Sequence, residues 1–449
     1  VISSKMFVKE KLLPSGKADK IKSRLVARGD QQIREWYAGQ DLSASTASSM
    51  AVLCTIAIAV YEKRKVKSAD IGGAYLNAGM SDTGPQVLMR IEPRLAAIMI
   101  QHDPRFSKSL GPKGDIIVRL KKCLYGCIEP AKRWQTHVVA ALIRIGFKQN
   151  EHDPCILNKM TERGQVTVLL YVDDLLITSK SLRDVHDVRD SVIAVYGDVK
   201  SHDGPKVEFL GMAVDVSTPG TASITMDGMT ERIIVDSLTM DLNKFTPSPA
   251  ADAAFEVPED SPLLNPKELF HFHSIVARIL YLSKRARPDL LLAISNLTTR
   301  VTKATNADKD KLDRIVRYMH QSYHAGHKGI KLTPGPEGIQ PFGFFDASYG
   351  VHADGKSHTG ACIMIGAAGP VSTDSTRQSI VTKSSTEAEL VGMSDSTNQL
   401  IHLRRLLIAQ GHPLGPAIVY QDNMSSMALA AKGRPTSKRS RHIDIRYFW

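Results

Sequence analysis

Two carboxylates, Asp173 and Asp174, stand side by side in the stretch V-T-V-L-L-Y-V-D-D-L-L-I-T from Val166 to Thr178. Apolar, β-forming runs flank them, so the pattern predicts two strands folding back on each other with the acids at the tip. A rigid hairpin rising from buried strands holds hard oxygen ligands at the floor of a cleft, which is what Mg²⁺ requires. Successive strand side chains point to opposite faces, so the two acids need not serve one ion equally, and Asp173 is the better candidate. The alternative is an exposed acidic turn, which the flanking Leu, Val and Ile disfavour.

Further acids fall where elements should end. Asp70 closes a short strand in A-D-I-G-G-A-Y-L, where Gly72 and Gly73 let a ligand or another backbone come close, and Tyr75 would stand near that ligand. Alone, an Asp before two glycines is a turn; Asp173 gives it weight. Later in the chain come Asp346 in G-F-F-D-A-S, Asp422 closing I-V-Y-Q-D, and Asp444 in H-I-D. Glu387 and Glu389 are two apart on a long helix and cannot share a face; Glu389, before Leu390, is the better candidate to point inward. Each of these acids taken singly could be a cap or a turn. Together, beside a basic loop between Lys432 and His442, they suggest cleavage of a phosphodiester.

The elements that must hold these groups can be read in order. Lys20–Arg28 alternates basic and apolar residues, a strand with one cationic face suited to a triphosphate or template backbone, or simply a solvated edge. Met50–Tyr61 reads as a buried helix, and Ala131–Ile145 as an amphipathic one. Lys121, Lys122, Lys132 and Arg133 beside Tyr125 and Trp134 make either a substrate wall or a solvated face. Val207–Val216 reads as one alternating strand. Five prolines between Thr246 and Pro266 predict a linker, followed by helices over Lys267–Arg285, Asp289–Thr302 and Ala307–His324. His320, His324 and His327 lack a carboxylate and read as a helix terminus rather than a metal site. Thr333–Pro341 predicts a second boundary. Beyond it lies an α/β unit with strands at Asp346, at Ala361–Gly366 and before Asp422, and helices over Ser384–Gln410, after Asp422 and around Asp444.

At 449 residues the chain exceeds one ordinary core, and 43% hydrophobic residues is a globular level. A formal charge of +12 favours a polyanionic partner, nucleic acid first, over an acidic small molecule. Five scattered cysteines suit a reducing compartment, and Cys123 with Cys127 lacks the second pair a zinc site needs. The longest apolar run, Met50–Val60, falls short of the roughly 20 residues that span a bilayer, so no membrane partner is expected. A start at Val1 reads as a fragment or processed product.

In order, K-S-R-L-V-A-R-G (Lys22–Gly29), D-I-G-G-A-Y-L-N (Asp70–Asn77), L-Y-G-C-I-E-P-A-K-R-W (Leu124–Trp134), Y-V-D-D (Tyr171–Asp174), F-L-G-M (Phe209–Met212), R-P-D-L (Arg287–Leu290), S-S-T-E-A-E-L (Ser384–Leu390) and R-H-I-D-I-R-Y (Arg441–Tyr447) run nearly the whole chain. The set resembles the reverse transcriptase and ribonuclease H portion of copia-type long-terminal-repeat retrotransposon polyproteins. The resemblance implies an α+β fold: a right-hand polymerase with fingers and palm over 1–245, a linker and helical thumb or connection over 246–335, and a ribonuclease H-like domain over 336–449 that stops within its last helix. It implies RNA-directed DNA polymerase activity, with Asp70, Asp173 and Asp174 holding two Mg²⁺ ions, or Mn²⁺. It also implies ribonuclease H activity, with Asp346, Glu389, Asp422 and Asp444 holding two more. Tyr75 matches the ring that excludes a ribose 2′-hydroxyl. Lys22 and Arg24 match triphosphate contacts, and Glu129, where many relatives carry Gln, stands near the incoming nucleotide. The implied partners are an RNA or DNA template with primer, an RNA:DNA hybrid, deoxynucleoside triphosphates and other segments of the same polyprotein. The implied location is a cytoplasmic virus-like particle with passage into the nucleus. The other reading, a decayed or domesticated copy, would bind nucleic acid without chemistry.

Overall fold

The computed structural model describes residues 1–12, 18–80, 84–202, 204–237, 241–242, 244–335, 338–366 and 369–433. Strands β1 (Ile2–Leu12) and β2 (Ala18–Ala27) form an antiparallel ribbon with Lys9 opposite Lys22 and Phe7 opposite Arg24. Helix α1 (Ser49–Tyr61) starts where the Ser48 side chain accepts a hydrogen bond from the Ala51 N–H, and every residue from Ala51 to Val60 is buried. A helix apolar all round must be covered on all sides, so α1 becomes central. After it come β3 (Lys65–Ile71), the single turn α2 (Ala74–Asn77), β4 (Leu88–Ile91), α3 (Pro93–His102) and β5 (Ile116–Arg119); β4 and β5 extend the ribbon into a sheet ordered β2-β1-β4-β5.

The central sheet is completed by α4 (Pro130–Arg144), β6 (Lys148–Gln149), β7 (Ile156–Thr161), β8 (Gly164–Tyr171), β9 (Asp174–Ser179), α5 (Leu182–Tyr196) and β10 (Val199–His202), with strand order β10-β3-β9-β8-β7-β6. Its middle strands are apolar on both faces because both faces are covered. Leu169 and Leu176 join the core around α1, whereas Val168, Leu170, Leu175 and Ile177 pack with Trp134, Val138 and Leu142 of α4 and Val185, Val188 and Val192 of α5.

The expected strand Val207–Val216 is instead a tight hairpin of β11 (Lys206–Phe209) and β12 (Met212–Asp215). Leu210 and Gly211 both take positive φ, 53° and 75°, the geometry that turns one strand back on the next. β13 (Ala222–Thr225) and α6 (Asp227–Asp236) follow. Three helices then come, α7 (Pro266–Ser283), α8 (Leu291–Thr298) and α9 (Asn306–His324), before β14 (Gly329–Leu332). Capping boxes at Asn265 with Glu268 and at Thr305 with Asp308 start α7 and α9. β14 pairs with β13, Ile330 opposite Ile224, so residues 246–335 return to a sheet begun before residue 246 rather than forming a separate helical unit.

The last unit comprises β15 (Pro341–Ser348), β16 (His358–Ile365), β17 (Pro370–Arg377), α10 (Ser385–Ala409), β18 (Ile418–Tyr420) and α11 (Met424–Lys432). Strand order is β17-β16-β15-β18, with β18 parallel to β15. β17 was not expected: P-V-S-T-D-S-T-R has no apolar alternation and is a strand because β16 pairs with it. The proline- and glycine-rich stretch before β15 does not separate two cores. Ile363, Ile365, Val371, Leu400 and Leu403 share one cluster with α1, and Lys284 pairs with Asp374 at 2.5 Å. Among the described residues no helix is long and apolar enough to cross a membrane.

Candidate metal centres

The β8–β9 hairpin turns through Val172 and Asp173. Val172 has φ +54°, a strained value for a β-branched residue. The turn is held from outside: the indole Nε1–H of Trp134, 1% exposed, donates to the Val172 carbonyl at 2.5 Å. Register brings Asp70 in β3 directly opposite Asp174, and the Ile71 N–H donates to the Asp173 carbonyl at 3.0 Å. Directly opposed residues share a face, so the carboxylates of Asp70 and Asp174 line one side of the sheet with Asp173 at its rim.

Crowding and burial leave these acids short of positive charge. Burial pushes the Asp173 carboxyl up and Asp70 adds repulsion, while a backbone hydrogen bond, Arg24 and Lys22 pull it back. Asp174 is pushed up to about 6, by burial first and then by Asp173 and Asp70. Asp173 and Asp174, held above their ordinary range first by burial and then by neighbouring carboxylates, fit a hard divalent cation, which supplies the missing charge.

Lys22 and Arg24 lie on the same face of β2, both exposed, and both act on Asp173 across the cleft. Tyr75 follows Gly73, whose φ of +60° starts the short turn α2, and its ring centroid lies 4.4 Å from that of Tyr125. Arg24 in turn sits over Tyr125, 5.7 Å from the ring centre. Two glycines let this wall close: a Cβ on Gly29 would meet the Gly126 carbonyl oxygen at 2.0 Å, and one on Gly126, at φ +91°, would meet that of Ala27 at 2.1 Å. The R-G and L-Y-G motifs are thus two halves of one backbone contact, Gly29 N–H donating to the Gly126 carbonyl at 2.9 Å.

Glu129 is the residue that precedes α4. It is 3% exposed, and its carboxylate accepts from Arg133 Nε at 2.9 Å. Lys132 pairs with Asp41 at 2.6 Å. These two cations are therefore occupied by acids, and Lys121 and Lys122 are the exposed cations of the expected substrate wall.

The second group is tighter. Ligand atoms of Asp346 in β15, Glu389 in α10 and Asp422 just after β18 all lie within 4.8 Å of one another, the one such trio of His, Cys, Asp or Glu among the described residues. Glu389 is buried and its carboxyl is pushed up by burial, then by Asp346 and Asp422, against a hydrogen bond from Gln421 Nε2 at 3.0 Å. The Gln421 Oε1 accepts from the backbone N–H groups of Asp422 and Asn423, so this residue fixes two of the three acids. Sequence reasoning missed it; its place beside Asp422 was the available signal. Asp444 lies outside the described residues. Helix α9 ends at His324, with the His320 and His324 rings 4.6 Å apart.

Residues 2–249 match the family model described as reverse transcriptase (RNA-dependent DNA polymerase). The whole chain aligns with Retrovirus-related Pol polyproteins from transposons RE2 and RE1 of Arabidopsis thaliana, at 24% and 25% identity, spanning 29% of each. It aligns over 95% of its length with the polyprotein from transposon TNT 1-94 of Nicotiana tabacum, at 23% identity and 31% of that protein. Among solved structures, a foamy viral protease-reverse transcriptase in complex with double-stranded DNA matches with TM-score 0.50 and 12% identity, over 98% of this chain and 64% of the other, a likeness of fold.

Proposed function

Because the chain belongs to the reverse transcriptase family and is similar to copia-type polyproteins, we propose that it copies an RNA or DNA template from a primer and cuts the RNA of the resulting hybrid. The observation that carries the first half is the opposition of Asp70 and Asp174 in register, with Asp173 at the rim facing Lys22 and Arg24. Asp70 and Asp173 would hold two Mg²⁺ ions with Asp174 beside them. When bound, the metal lowers the proton affinity of the primer 3′-hydroxyl and neutralises the departing pyrophosphate.

The remaining work belongs to side chains. Lys22 and Arg24 orient the triphosphate from the β-ribbon, and the strained turn at Val172 keeps Asp173 from drifting. The Tyr75 ring closes the space a 2′-hydroxyl would need, which favours deoxynucleotides. Glu129, neutralised by Arg133, adds no net repulsion toward phosphates. In the second centre Asp346, Glu389 and Asp422, with Asp444, would hold the metals for hydrolysis of RNA, and Gln421 keeps Glu389 aimed at its neighbours. Template, hybrid and deoxynucleoside triphosphates are the proposed partners, and a cytoplasmic virus-like particle with passage into the nucleus is the proposed location.

Primer extension on poly(rA) annealed to oligo(dT), with Asp173→Asn as control, tests the polymerase half. Extension that needs Mg²⁺ or Mn²⁺ and vanishes in the variant is expected. No extension with either metal would favour a binding protein without chemistry.

A further inference from the structure

Tyr75 rests on a slender support. Its helix α2 spans only Ala74–Asn77 and begins at a glycine in the left-handed region, and among the described residues nothing hydrogen-bonds its hydroxyl. Its orientation therefore comes from packing, and the ring packed on it is Tyr125, 4.4 Å away at an interplanar angle of 42°. Tyr125 is itself anchored: its carbonyl accepts from the Ala27 N–H at 2.8 Å, and the Arg24 guanidinium lies over its ring, 5.7 Å from the centre. A chain of contacts thus runs from the β-ribbon through Arg24 and Tyr125 to Tyr75.

We propose that Tyr125 is a positioning residue for sugar selection, setting where the Tyr75 ring stands and so how firmly a 2′-hydroxyl is refused. The inference rests on the nucleotide-binding reading above and goes beyond it by assigning selectivity to a residue in the L-Y-G loop. A steric block works only if the blocking ring cannot retreat, and displacement by about 1 Å is enough to change a rate up to a hundredfold. Tyr125 supplies a flat apolar surface and needs no hydroxyl for that purpose, whereas an aliphatic side chain fills space without the same ring contact. Arg24 couples these contacts to the triphosphate site, since the same guanidinium acts on Asp173.

The test compares the full chain with Tyr125→Ala, Tyr125→Leu, Tyr125→Phe and Tyr75→Ala. Two readouts are used: incorporation of a ribonucleotide against the matching deoxynucleotide, and stability of the complex each nucleotide forms on a chain-terminated primer. Tyr125→Ala and Tyr125→Leu should each lose about tenfold in discrimination by both readouts, while Tyr125→Phe retains it. The double variant with Tyr75→Ala should discriminate no worse than Tyr75→Ala alone, because both act through one ring. An equal loss for both nucleotides with an unchanged ratio in Tyr125→Leu would overturn the proposal. If Tyr75→Ala also leaves the ratio unchanged, or the unaltered chain forms no deoxynucleotide complex, the nucleotide-site reading itself fails.

Discussion

Replacing Trp134 by Phe removes one atom pair with a large structural consequence. The indole N–H is the donor to the Val172 carbonyl, and the side chain is 1% exposed between α4 and the turn that carries Asp173. Loss of the donor leaves a partly buried carbonyl short of a partner, worth about 1–3 kcal/mol. A phenyl ring also leaves a void on the order of 40 Å³, or about 1 kcal/mol at ~24 cal/mol per Å³. The expected total is about 2–4 kcal/mol, read from urea unfolding. The strained φ of +54° at Val172 is then less well opposed, so the turn should relax and single-turnover extension should fall about tenfold or more. Val172→Gly in the same background removes the strain and should recover about 1 kcal/mol of stability, though not the rate, since a relaxed glycine turn no longer fixes Asp173. An unfolding free energy within about 0.5 kcal/mol of the parent, together with an unchanged rate, would refute the idea that the indole braces this turn.

Other perturbations follow from the same geometry. Asp174, raised to about 6, keeps its proton in the folded chain after the unfolded chain has released it, so stability without metal should fall as pH climbs from about 4 to about 6. Asp174→Asn should flatten that decline in melting temperature, and added Mg²⁺ should stabilise the parent more at pH 8 than at pH 5. Gly126→Ala should cost at least ~2 kcal/mol because its Cβ meets the Ala27 carbonyl oxygen, whereas Gly39→Ala, at φ +77° in open space, should cost only the ~1–2 kcal/mol of the left-handed backbone. Glu389→Gln should abolish cleavage of an RNA:DNA hybrid while leaving primer extension intact. Gln421→Ala should raise Glu389 further and move the acidic limb of cleavage to higher pH, measured as rate against pH.

Much of the chain was legible before any coordinates. Alternation marked β2, apolar β-forming runs marked β8 and β9, an unbroken apolar run marked α1, and amphipathic stripes marked α4, α7 and α9, because burial on one or both faces is written locally in side-chain type. Val207–Val216 misled because alternation resumes after a two-residue turn, with its inward phase moved from Val207 and Phe209 to Met212 and Val214; the positive φ of Leu210 and Gly211 makes it a hairpin rather than one strand. β17 escaped because an edge strand of Ser and Thr is defined by its neighbour.

Sequence alone determined which residues could do chemistry, since carboxylates bracketed by apolar runs are too costly to place there without a use. Tertiary structure decided which of them meet. Asp70 faces Asp174 through a strand pairing across more than a hundred residues, Glu129 is taken up by Arg133, and Tyr75 leans on a loop tied to the β-ribbon by two glycines. The proline-rich stretches looked like boundaries, yet α1 is apolar on every side and had to be covered by both halves of the chain. Local pattern reports how much surface must be buried; only the assembled fold says against what.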